Sequence, residues 1–235
     1  MTMIADNLQR VRGRIEVACL EAGRQPSAVR LLAVSKTFDA AAVRTACEAG
    51  QRAFGENYIQ EGVDKIEALA DLDIEWHCIG PIQSNKTRPV AEHFDWVHSI
   101  DRLKIAQRLS EQRPADLPPL QVCIQVNVDG GPTKAGVAPA ELLELARAVS
   151  RLPRLVLRGI MTIPEPAADF AAACAVHRTA KALLDALNAQ GLVLDTLSMG
   201  MTGDLEAAVH SGSTMVRVGT AIFGGRSYPQ AVTSV

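Results

Sequence analysis

VRLLAVSK, residues 29–36, is a short apolar run closed by a lysine. Its length and its Val and Leu content read as a buried β-strand. Lys36 then puts an amine at the end of a greasy element, at the edge where barrel chemistry is usually placed. A buried amine has a lowered pKa, so a useful fraction is neutral and nucleophilic near pH 7, the condition for attack on a carbonyl. The alternative is a strand-end lysine snorkelling to water. The strand alone leaves both open.

Seven more segments read as strands: 52–55, 74–79, 95–99, 120–127, 155–163, 194–198 and 214–218. Helical spacing of apolar residues fills the intervals, over roughly 39–49, 58–70, 84–93, 101–112, 139–152, 168–190 and 203–211. Strands alternating with helices imply parallel pairing. Eight such units in this length imply an α/β fold, a closed (β/α)8 barrel of the TIM type. An open doubly wound sheet is the alternative, and no GxGxxG follows a strand to support it. Ahead of the first strand, Ile4, Leu8, Val11, Ile15, Ala18, Cys19 and Ala22 mark an additional amphipathic helix that Gly23 stops. No linker or short-period repeat interrupts residues 1–235, so one domain is expected, with Pro114–Pro119 as a loop before the fifth strand.

The 235 residues are 48% hydrophobic with a net charge of -2. That is enough for a sizeable core. Without a basic excess, nucleic acid is not an expected partner. Five dispersed cysteines with no CxxC pair point to reduced thiols in a cytoplasmic protein, and away from a disulfide framework or a zinc site. No apolar stretch is long enough to span a membrane, and the N-terminus lacks the apolar region of a signal peptide.

The C-terminal strand ends carry Lys36, then Gly55 to Tyr58, His77 and Gly80, Asp101, Asn127, Met161 and Thr162, Ser198 to Gly200, and Arg217, Gly219 and Thr220. Alternation points Lys36, Val34 and Leu32 inward and Ala33 and Ser35 toward the helices, and it turns Arg217 inward beside Met215. A buried guanidinium requires an acceptor. That acceptor is either a structural carboxylate or a ligand atom such as a ring nitrogen. In RVGTAIFGGR (Arg217–Arg226), Gly219 and Thr220 open a short helix whose N–H groups favour an anion. Ser198 to Gly200 can add a hydroxyl and more amides, in the region where barrels often hold phosphate. The plainer reading is that these glycines serve turns and close packing.

A lysine on strand one, an inward arginine on strand eight and a phosphate cup beside it describe pyridoxal 5'-phosphate (PLP) in a barrel. Over nearly its whole length the chain resembles the pyridoxal phosphate homeostasis proteins. The motifs are AVSKT (33–37), FGENYIQE (54–61), WHCIGPIQSNK (76–86), GIMTI (159–163), LSMGMTGDLEAAV (197–209) and RVGTAIFG (217–224). The resemblance implies a single barrel similar to the barrel domain of alanine racemase, fold type III among PLP proteins. It carries the Schiff-base role onto Lys36, contact with the pyridine nitrogen onto Arg217, and phosphate binding onto Ser198, Gly219 and Thr220, with Met199 and Gly200 in the same segment. Asn57, His77 and Met161 match positions lining the cofactor pocket. Thr202, followed by Gly203, stands where the family usually has serine. VDGGPTKAG (128–136) keeps Lys134 without the acidic and serine residues usual before it. The resemblance further implies a cytoplasmic monomer that binds, stores and delivers PLP, with apo PLP-dependent enzymes as recipients and no strong catalysis.

Two other readings stand beside this one: a PLP-dependent amino-acid racemase, and a barrel enzyme acting on a phosphorylated metabolite without PLP. Arg217 cannot usefully give up a proton, so a ring nitrogen against it stays unprotonated and a weak electron sink. Racemisation needs acid–base groups on both faces of the substrate carbon. Tyr58 is the candidate for the second group, with a core or pocket-wall tyrosine as the plainer role. His77 is a candidate general base. Glu56 and Glu61 read as caps or surface pairs. His93, His98, His177 and His210 read as isolated, with no metal-ligand spacing.

Overall fold

Val29 leads into β1 (Arg30–Val34), the first of eight strands in a computed structural model that describes residues 2–130 and 135–225. The others are β2 (Ala53–Glu56), β3 (Glu75–Cys78), β4 (Trp96–Ile100), β5 (Leu120–Gln125), β6 (Leu155–Met161), β7 (Thr196–Ser198) and β8 (Met215–Val218). Each pairs in parallel with the next, and β1 closes the barrel on β8 with Leu32 opposite Arg217. The expected first, third, fifth and sixth segments run past the strand ends at Val34, Cys78, Gln125 and Met161. Their last residues, Lys36 among them, have left the sheet and stand at its C-terminal rim.

The helices are α1 (Met3–Glu21), α2 (Ala40–Glu48), α3 (Ile59–Ala68), α4 (Thr87–His93), α5 (Leu103–Gln112), α6 (Leu142–Val149), α7 (Phe170–Ala189), α8 (Leu205–His210) and α9 (Thr220–Phe223). Outward strand residues such as Phe54, Trp76, Val97, Ile160 and Val218 join the helices in one apolar cluster. Fully burying each such side chain contributes about 1.5–3 kcal/mol. Inward residues form two smaller groups, Leu32, Val34, Ala53, Ile79 and Met215 on one side and Trp96, Cys123 and Met161 on the other.

Helix α1 lies outside the repeating pattern. Thr2 caps it by accepting from the Ala5 N–H, and its apolar stripe buries Leu8, Val11, Ile15, Ala18 and Cys19. Its polar residues fasten the end of the chain. Arg14 forks onto Glu206 and donates to the Thr202 carbonyl at 2.9 Å, and Asn7 donates to the Ile222 carbonyl at 2.9 Å. The segments after β7 and β8 are therefore tied to the first helix. All five thiols are buried and free, and burial pushes Cys78 and Cys123 up to about 12.

Between β2 and α3 the helix layer holds charge. Lys65 Nζ donates to Glu56 at 2.8 Å and to Glu61 at 2.7 Å, and its side chain is 6% exposed. Glu56 is fully buried and Glu61 joins the same cluster, so neither is a surface pair. Removing one partner of a buried pair leaves the other charge uncompensated, a loss of about 3–5 kcal/mol. Lys65→Met is therefore expected to lower unfolding stability in urea by about that amount. Lys181→Ala, which removes an exposed helical pair with Asp185, is expected to change it by about 0.5 kcal/mol or less.

Candidate functional site

A cavity of about 250 Å3 opens at the C-terminal mouth of the barrel. It lies just below the ~300–1,000 Å3 usual for ligand pockets, so it suits a compact ligand. Lys36, Asn57, Arg217, Gly219 and Thr220 all line it, with Phe38, Ile163, Met201, Thr202 and Gly203 among the remaining wall. A wider groove of about 400 Å3 between α1 and the start of β1 is a poorer candidate. Its arginines Arg12, Arg30 and Arg52 are committed to Ala49, Glu75 and Cys47.

Arg217 is 4% exposed. Its guanidinium donates to Ser198 Oγ and to the Thr162 carbonyl, both at 2.8 Å. The acceptors that meet it are thus a hydroxyl and a carbonyl. Burial draws its pKa down to about 10, which still leaves it cationic at neutral pH.

Below Arg217 a polar column continues into the barrel. Ser198 Oγ lies 2.9 Å from His98 Nδ1, His98 Nε2 lies 2.9 Å from His77 Nδ1, and His77 Nε2 lies 2.6 Å from Glu75 Oε1. Arg30 closes on Glu75 at 2.7 Å. Both imidazoles are wholly buried, and burial holds each below its ordinary value, His98 well below. Burial works to raise the Glu75 carboxyl, but the hydrogen bond from His77, together with Arg30, holds it down at about 2.

Lys36 is half-buried, and the backbone around it is clamped. Lys65 Nζ donates to the Ser35 carbonyl at 2.8 Å, the Ser35 hydroxyl to Glu56 at 2.6 Å, and the Thr37 N–H to Glu61 at 2.6 Å. Thr37 has φ 69, a left-handed conformation that a β-branched residue adopts only when its surroundings enforce it. Burial raises the Glu56 pKa against the opposing pull of Lys65.

The remaining sequence candidates lie elsewhere. His77 and Met161 are fully buried inside the barrel, beneath the cavity. Ser198 Oγ faces the interior column. Met199 turns outward into the helix layer. Gly200, at φ +93, sits where a Cβ would lie 2.4 Å from the Ala208 Cβ, so close packing requires it. Tyr58 is 58% exposed and is neither core nor pocket wall, because it stands at the position preceding α3, where the backbone turns it outward at the rim. Lys134 and Arg226 lie outside the described residues. Three histidines that read as isolated have partners: His98 bonds to His77, His177 to Asp204 at 2.9 Å, and His210 approaches Glu21 at 3.6 Å. Asp204 also accepts from the Met201 N–H at 2.6 Å, which fixes the loop forming one pocket wall. The inward position of His98 on β4, two residues after Trp96, was the signal available for it.

A closed parallel barrel with a lysine and a buried arginine on one terminal cavity places the chain in a recognisable class. The family profile "Alanine racemase, N-terminal domain" matches residues 4–227. An alanine racemase of Clostridium difficile shares the fold, with a TM-score of 0.73 at 16% identity over 96% of this chain and 58% of that one. Within that class the likeness is much closer to another group. The chain is 62% identical to the pyridoxal phosphate homeostasis protein of Pseudomonas aeruginosa, over 97% of this chain and 98% of that one. The structure of PipY from Synechococcus elongatus with PLP bound matches with a TM-score of 0.82 at 39% identity, covering 94% of this chain and 100% of that one. The chain belongs to the pyridoxal phosphate homeostasis protein family.

Two outcomes follow from this geometry. A Cβ on Gly80 would lie 2.1 Å from the Asn57 carbonyl. Gly80→Ala is expected to cost about 1–3 kcal/mol in urea unfolding, the range for overpacking, and to displace Asn57 from the pocket wall. Glu75 has a folded pKa near 2 against an ordinary 4.5. Its contribution is complete above the ordinary value and is lost as pH falls toward the folded one. Glu75→Gln should therefore flatten the acid limb of the stability curve between those two values, read by denaturant unfolding across a pH series.

Proposed function

We propose that this chain binds PLP through a Schiff base on Lys36 and serves intracellular PLP homeostasis by holding and delivering the cofactor. The observation that carries this is the convergence of Lys36, Arg217 and the Gly219–Thr220 turn on one cavity. The lining fits the group. Arg217 offers cationic N–H donors suited to an unprotonated ring nitrogen. Asn57 Oδ1 is buried without a partner, an acceptor that a ligand hydroxyl satisfies. Gly219 lies so close to Val34 that a Cβ would stand 3.0 Å from its carbonyl, leaving room only for bare backbone beside the ligand. When bound, PLP supplies an aldehyde. Lys36 supplies the amine that condenses with it, forming a C=N bond with release of water.

The carrier reading, as opposed to an enzyme, draws on the pocket wall. Among the described residues lining the cavity, Lys36 and Arg217 are the ionisable side chains, and Tyr58 stands away at the rim. A half-buried amine and partly exposed Ile163 and Met201 leave the mouth open, as delivery requires. On this reading the protein acts as one domain and as a monomer in the cytoplasm, where its thiols stay reduced, and its recipients are apo PLP-dependent enzymes.

The test is the visible spectrum of purified protein with PLP, for wild type and Lys36→Ala. A Schiff-base band that borohydride traps on Lys36, and that the variant lacks, is the expected result. Absence of any band in wild type would overturn the reading in favour of a barrel binding a phosphorylated metabolite. Amino-acid racemisation by the loaded protein at an ordinary enzymatic rate would overturn the carrier assignment.

A further inference from the structure

The column beneath Arg217 runs from the pocket to the opposite end of the barrel, and its two ends fix its direction. Glu75 as a carboxylate only accepts hydrogen bonds, and Arg217 only donates them. A neutral imidazole has one donor and one acceptor nitrogen. Beginning at Glu75, His77 Nε2 carries the hydrogen across the 2.6 Å contact, so His77 Nδ1 is an acceptor. His98 Nε2 must then donate across 2.9 Å, which makes His98 Nδ1 an acceptor. The Ser198 hydroxyl gives its one hydrogen to His98, and its oxygen receives the N–H of Arg217. Every bond is satisfied, and every donor points away from the pocket. Reversal would require a protonated Glu75 or a deprotonated Arg217.

We propose that His98 and His77 are positioning residues of the ligand pocket: acting through Ser198, they hold Arg217 as a fixed cationic donor, and Glu75 at the far end of the barrel sets the direction of the relay. Ser198 then has no hydrogen left for a ligand. Its role is support of Arg217, and an anion in the pocket relies on other donors. The inference rests on the PLP reading for what lies above Arg217, while the relay itself does not.

The relay is tested first without ligand, by nitrogen-15 NMR of the histidine side chains in the wild-type protein at neutral pH. Both His77 and His98 are expected as neutral Nε2–H tautomers. A hydrogen on Nδ1 of either ring, or a charged ring, would overturn the assignment. PLP titrations followed by the visible band then test its effect. His98→Phe is expected to weaken PLP binding about tenfold, the scale of one or two lost hydrogen bonds, and to shift the band. His98→Gln, which keeps one donor and one acceptor, is expected to restore most of both. In a Ser198→Ala background, His98→Phe should add little, because His98 acts through Ser198. Unchanged binding in His98→Phe, or full additivity of the two losses, would sink the proposal. If His98→Phe does not fold, the tautomers and Ser198→Ala alone decide it: Ser198→Ala must weaken binding and shift the band. A wild-type protein with no Schiff-base band would defeat the PLP reading and leave the tautomer result standing.

Discussion

A guanidinium sealed inside a barrel has to be met by acceptors. Arg217 occupies an inward position on the last strand, where every second residue faces the interior. Losing its water without partners would be prohibitive. The barrel answers with a hydroxyl from β7 and a carbonyl released at the end of β6. The hydroxyl in turn calls for a partner, and two imidazoles and a carboxylate follow from β4 and β3. One buried cation is thus met by polar side chains from three strands and by a backbone carbonyl just beyond a fourth.

Lys36 is governed from the other layer. Its neighbours Ser35 and Thr37 are held from outside the barrel by Lys65, Glu56 and Glu61. The left-handed Thr37 is a strained choice, of the order of 1–3 kcal/mol, and the clamp maintains it. The pocket therefore has two independent supports, an interior column under the arginine and a charged cluster behind the lysine. Residues with no contact to a ligand fix the two that would touch it.

Much of this is legible in the sequence. Period-two alternation told Lys36 and Arg217 which way to face, and strand ends told where the cavity opens, because both are local properties of the chain. What alternation cannot give is the identity of a partner. His98 read as isolated because His77 lies on the neighbouring strand, 21 residues earlier in sequence. Glu56 read as a cap or surface pair because its charged partner, Lys65, comes from a helix folded over it. Tyr58 read as pocket or core because a tyrosine beside a strand end usually is one; here the backbone leaves the sheet and turns it outward. Ser198 read as an anion donor from its place at a strand end; alternation does not show that its hydroxyl meets Arg217 and His98 in the interior.

The barrel closes by pairing its first strand with its last, Leu32 against Arg217. The lysine and the arginine of one cavity therefore come from opposite ends of the sequence. On the ribosome, the segment bearing Lys36 emerges long before β8 exists, and contacts of such high sequence separation form late. A partial chain has the amine but no pocket around it. Until β8 has been made, the lysine stands as an exposed amine without the arginine that shares its cavity.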